Sequence, residues 1–219
     1  MRFLLMHTSG GEGSVALADT EAADAVVASE TLPGRSSSER LVPAVRRLME
    51  ASGWRLRDLT AVVVVDGPGS FTGVRVGLSA AKGLCEAGGV PLIAVSRLAL
   101  LAACVGEGAV HAVLDAGRGE FYYGEYVGRR LVREALLGED EVRAAAGEGV
   151  LGVCEAKVAE ALAGMRPRLV AEPVAGDALA FAVERAGMGD FDDAALADAN
   201  YLRRSDAEIF AKPKGSSAK

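Results

Sequence analysis

Residues 61–77 read AVVVVDGPGSFTGVRVG. Five apolar residues run without alternation into Asp66, as in a strand covered on both faces. A Gly-Pro-Gly turn follows, then a helix start with Ser70 or Thr72 as cap. Strand, turn and helix in this order leave free N–H groups and a positive dipole end at the loop, the geometry of an anion site. The known phosphate loops do not fit. A P-loop needs GxxxxGK[ST], whereas Gly69 and Gly73 are too close and Val74 stands in place of the lysine. A dinucleotide fingerprint needs a third glycine where Thr72 stands. Gly67, Gly69, Ser70 and Thr72 are therefore candidates for a vestigial anion loop.

The helix expected over 72–86 carries two stripes. Val74, Leu78, Ala81 and Cys85 are apolar; Arg75, Ser79, Lys82 and Glu86 are polar. Gly73, Gly77 and Ala80 form a third, small-residue row at i, i+4, i+7, through which another backbone can approach. That neighbour is either the helix's own sheet or a partner helix. Interior glycines cost about 1 kcal/mol each against alanine, so the row needs a reason.

Outward from this stretch, RFLLMHT, SVALAD and ADAVVASETL read as three short strands of an antiparallel meander. Leu41, Val42, Val45, Leu48 and Met49 make the stripe of a helix that Gly53 ends, with Ser36 and Glu39, or Ser38, at its start. Pro43 is tolerable there only near the first turn. VPLIAVS is a strand and RLALLAACV a helix. The order βββαβαβα predicts an α/β, ribonuclease H-like, actin-type half. From Gly106, AVHAVLDA, GEFYYGEYV and RRLVREALL read as a second meander. Weaker elements follow: a helix near 139–146, the strand GVLGVC, a helix at 155–163, the strand RLVAE and a helix at 177–187. The expected division is 1–105 for the first half, 106–190 for a degenerate second half, 191–211 for a segment returning to the first, and 212–219 for a disordered tail.

The 219 residues carry a formal charge of −6, which disfavours tight binding to a phosphate backbone. Cys85, Cys104 and Cys154 form no CxxC and predict a reducing compartment. The four apolar residues Phe3 to Met6 are too few for a signal peptide, so a cytoplasmic location with no membrane contact is expected. His7 and His111 form no metal pair, and no GxSxG surrounds Ser70, which speaks against a peptidase or serine hydrolase. An actin-type ATPase carries an acid after its first strand, where His7 stands here; Asp115 is placed like the second-half counterpart, or as a turn aspartate.

The stretch VVVDGPGSFTGVRVGLSAAKGLCEAGGVPLIAVSRLALLA strongly resembles the TsaB family of the tRNA threonylcarbamoyladenosine pathway. ERLVPAVRRLMEASGWRLRDLTAVVV, VLDAGRGEFYYGEY and NYLRR resemble further family segments. The resemblance implies an actin-like (ASKHA) fold without a complete catalytic site. It implies pairing with a TsaD-like transferase, cooperation with a TsaE-like ATPase, ATP and metal on those partners, and tRNA contact that is at most indirect. Self-association in the partner's absence stays open. The chain departs from the family at His7-Thr8-Ser9, where DTS is usual, and at Ser37, where a histidine is common. A stand-alone ATPase or kinase is the alternative, and a peptidase a third. The expected partner surface is Val42, Val45 and Met49 on the first helix, with Gly73, Gly77 and Ala80 on the second, all facing outward.

Overall fold

The computed structural model describes residues 1–34 and 37–202, with only the backbone of Ser37. The Ser36 cap, the Ser37 side chain, Arg203 and Arg204 of NYLRR, and the tail 212–219 lie outside the described residues.

Strands β1 (Arg2–His7), β2 (Gly13–Asp19) and β3 (Val26–Leu32) form the first meander; then come α1 (Ser37–Ala51), β4 (Ala61–Val65), α2 (Phe71–Gly88), β5 (Leu92–Val95) and α3 (Arg97–Val105). The second half repeats the order: β6 (Ala109–Gly117), β7 (Glu120–Val127), β8 (Arg130–Gly138), α4 (Glu139–Ala145), β9 (Val150–Val153), α5 (Ala156–Ala161), β10 (Arg168–Leu169) and α6 (Leu179–Gly187). The two sheets have equivalent orders, β3-β2-β1-β4-β5 and β8-β7-β6-β9-β10. In each, the first three strands are antiparallel and the last two join in parallel. This is the duplicated actin-like, ribonuclease H-like α/β fold. The second copy is worn: β10 has two residues and α5 six, against four in β5 and eighteen in α2.

Alternation along β1 and β4 sorts their side chains into two cores. Leu4, Met6, Val62 and Val64 meet α1 and α2, while Phe3, Leu5, Val63 and Val65 face a middle layer shared with the second sheet. Both faces are buried, so these strands are apolar throughout. Helices α3 and α6 fill the middle layer, and α3 is buried almost all round because a sheet lies on either side. Helices α4 and α5 cover the far face of the second sheet through Val142 and Val158.

Helix α1 differs from its expected orientation. Leu41, Ala44, Val45 and Met49 are buried on the sheet, and only Val42, 54% exposed, points outward. A sheet face shared with α2 absorbs four apolar positions of α1, so Val45 and Met49 are core residues. Pro43 lies a turn deeper in the helix than the sequence reading allowed. After α6 the chain returns to the first half: Asp192 bridges to Leu92, its carboxylate accepts from Ala94 N–H at 2.7 Å, and Ala194, Ala197 and Ala199 pack against the outer core. No helix among the described residues is long and apolar enough to cross a membrane.

Candidate functional site

The Gly-Pro-Gly loop sits at the carboxyl end of β4, beside the turn that leaves β1. Ser70 is the N-cap of α2, accepting from Gly73 N–H at 3.2 Å. Thr72 is inside the helix and exposed. Gly67 has φ 109°, a conformation open to glycine and strained for other residues. Its carbonyl accepts from Arg97 N–H at 2.6 Å, tying the loop to the start of α3.

Gly69, Gly73 and Gly77 follow one line along the loop and α2, and the first turn of the chain lies on that line. A Cβ on Gly69 would overlap the Ser9 carbonyl oxygen, one on Gly73 the Thr8 carbonyl oxygen, and one on Gly77 the Thr8 hydroxyl. Thr8 donates to the Gly73 carbonyl at 2.6 Å, and Ser70 N–H donates to the Ser9 carbonyl at 2.9 Å. The glycines therefore admit the chain's own β1 turn. The expected outward orientation of Gly73 and Gly77 is corrected: both are buried, whereas Ala80 is half-buried at the edge of the same arc. What faces outward is Phe71 (63% exposed), Thr72, Arg75, Ser79 and Gly83, and a Cβ on Gly83 would meet nothing. The Arg75 guanidinium lies 3.2 Å from the Phe71 ring centroid and 5.2 Å from that of Tyr201.

Between the halves is a cleft of about 340 Å³, lined by Ser9, Gly69, Ser70, Arg97, Asp115 and Tyr122 among others. His7, at the end of β1, is fully buried, and neither ring nitrogen has a hydrogen-bond partner among the described residues. Burial, and then the nearby Arg97, push its pKa down to about 3, so the ring is neutral. A neutral imidazole there offers no anionic oxygen to a magnesium ion. Arg97 is 3% exposed and pairs with Glu172 at 2.8 Å and Glu155 at 3.6 Å. Glu172 also accepts from Gly11 N–H at 2.9 Å. Asp115, near the end of β6, is paired with Lys157, and Glu155 accepts from its backbone N–H at 2.8 Å. Glu172 and Glu155 thus lie against the Arg97 guanidinium, where a nucleotide phosphate would have to displace them. A second cavity, of about 520 Å³, lies between the starts of α1 and α2, lined by Thr8, Ser38, Ser70, Thr72, Gly73 and Val76 among others.

Sequence reasoning missed Arg97, Glu155 and Glu172. One signal was present: Arg97 is the only charge in the nine-residue helix RLALLAACV. The signature residue Asn200 has a structural task. Its side chain donates to Glu134 at 2.6 Å, and its backbone N–H donates to the Asp66 carbonyl at 2.9 Å. Ser96 and Tyr126 donate to the same Glu134. Burial and the Glu134 charge raise the Asp66 pKa to about 7. Burial also pushes the free thiols of Cys85 and Cys154 up to about 11, far from a nucleophile's range.

A solved structure described as YeaZ from Pseudomonas aeruginosa superposes with a TM-score of 0.78 at 31% identity, covering 92% of this chain and 99% of that one. Curated relatives carry the name tRNA threonylcarbamoyladenosine biosynthesis protein TsaB. The one from Escherichia coli is 38% identical over 130 residues, 58% of this chain and 55% of that protein. The one from Bacillus subtilis is 36% identical over 110 residues, 49% and 48% of the two chains. The chain belongs to the TsaB family. The family model of TsaD, the tRNA N6-adenosine threonylcarbamoyltransferase, also matches residues 26–208. The chain spans about half the length of the curated TsaB relatives it matches, but nearly all of the solved YeaZ chain.

Proposed function

We propose that this chain is a non-catalytic partner subunit in tRNA threonylcarbamoyladenosine formation, working in the cytoplasm as a heterodimer with a TsaD-like transferase. The observation that carries this reading is the cleft. Its own Glu172 lies against the first turn and Arg97, and the neutral His7 stands where an actin-type ATPase would carry an acid. ATP and metal then belong to the transferase and to a TsaE-like ATPase, and an acidic chain touches tRNA at most indirectly. The outer face of α1 and α2 is the proposed meeting surface. Val42 and Phe71 are its exposed apolar residues, and Ala80 and Gly83 let a neighbouring helix approach. Of the surface expected from sequence, Val42 and Ala80 stay in this proposal, while Val45, Met49, Gly73 and Gly77 support it from beneath.

The test is reconstituted transfer to tRNA, run with and without this chain, beside magnesium-dependent ATP turnover by the chain alone. Transfer should require the chain, and the chain alone should stay at background. Turnover by the isolated chain that is lost on changing Asp115 would instead favour the stand-alone ATPase.

A further inference from the structure

The cleft contains an anion site whose ligand is part of the chain. Glu172 comes from the second half, just after β10, and Pro173 fixes the backbone behind it. Its carboxylate reaches across to the first half. Oε1 accepts from Gly11 N–H at 2.9 Å and from the Arg97 guanidinium at 2.8 Å. Gly10 is held equally close, since a Cβ there would overlap that same oxygen. A backbone N–H on a glycine turn, together with a buried guanidinium, is what a protein presents to an oxyanion. Two further polar groups belong to residues lining this cleft and have no hydrogen-bond partner among the described residues: Ser9 Oγ, on a residue 1% exposed, and Arg97 Nε. They have hydrogen-bonding capacity that the Glu172 carboxylate does not use.

We infer that Glu172 is the resident anion of an oxyanion site formed by Gly11, Arg97 and Ser9, and that vacating it leaves a site for a small free oxyanion such as acetate or inorganic phosphate. With Glu172 in place, the two halves clamp a tethered carboxylate in the way an actin-like protein clamps a phosphate. The two halves are then bridged without any ligand. This inference shares the cleft with the non-catalytic reading above, but it is read on the isolated chain, so its failure would leave the pairing with a transferase untouched.

Two variants and three salts test it. Glu172→Ala should melt below the wild type in chloride. Acetate or phosphate at matched ionic strength should raise its melting temperature by about 3 °C, as expected when a ligand at roughly ten times its Kd binds only the folded state. A rise with both anions means a general oxyanion site; a rise with acetate alone means a carboxylate-shaped one. Either supports the inference. The wild type should show no difference between acetate, phosphate and chloride. Neither should Glu172→Gln, whose amide still fills the site and accepts from Gly11. If Glu172→Ala folds only in acetate or phosphate, the reading is the same. An anion response equal in the wild type and Glu172→Ala overturns the inference. So does a Glu172→Ala chain that no anion stabilises or folds.

Discussion

At the scale of single residues, His7 shows how far this cleft has moved from ion chemistry. The ring is fully buried and neutral, with its pKa pushed down to about 3 by burial and the nearby Arg97. The same side chain in the unfolded chain takes a proton near pH 6.5. Between those values the unfolded state holds more protons, so stability is complete above about pH 6.5 and falls as the pH drops towards 3. Between pH 7.5 and pH 5 the loss from His7 amounts to about 2 kcal/mol, at about 1.4 kcal/mol per unit below the unfolded pKa. Chemical denaturation at the two pH values measures it. His7→Gln should shrink the difference between them by about that amount, and an unchanged difference would mean that the buried ring titrates normally. None of this was visible in LLMHTSGG. Strand alternation does place His7 on the same face as Phe3 and Leu5, the face that packs against α3 and the second sheet, but no local pattern gives its depth of burial.

Among the elements, α2 carries the main correction. The valine run, the glycine loop and the apolar stripe of α2 were all legible in the sequence, because period and turn chemistry are local. The direction of the glycines was not, since a row of small residues marks a close approach without naming the neighbour. The surrounding pattern did contain the answer: Gly73, Val74, Gly77, Leu78, Ala81 and Cys85 make one continuous buried arc. A glycine row inside the arc that the core already claims is packed by the protein itself. Gly73→Ala should then unfold or severely weaken the isolated chain. Its Cβ meets a backbone carbonyl that cannot turn away, so the cost should exceed the ~1–3 kcal/mol usual for overpacking. Gly83→Leu, on the open side of the same helix, should leave the melting temperature within about 2–4 °C of the wild type, the shift of a 1 kcal/mol change in a chain of this size. Equal losses in the two variants would mean that α2 is packed on both sides.

For the molecule as a whole, the duplicated fold was legible because each half begins with a three-strand meander that the sequence marks with turns. The pairing of Arg97 with Glu172 was not, because 75 residues separate the two and no local pattern links them. Glu155 was missed for the same reason: 40 residues separate it from Asp115, which the sequence did offer as the second-half acid or a turn aspartate. With Glu172 already held in that cleft, the outer face of α1 and α2 is the surface proposed for the partner. The most direct test is the mass in solution of this chain mixed with a TsaD-like transferase encoded in the same genome, measured by light scattering on a sizing column. One species with the summed mass of one chain of each is expected. Val42→Glu should remove it, because a buried unpaired carboxylate opposes the contact, while the variant's own melting temperature stays unchanged. Two separate peaks for the wild-type mixture, or a complex that survives both Val42→Glu and Gly83→Leu, would contradict the account.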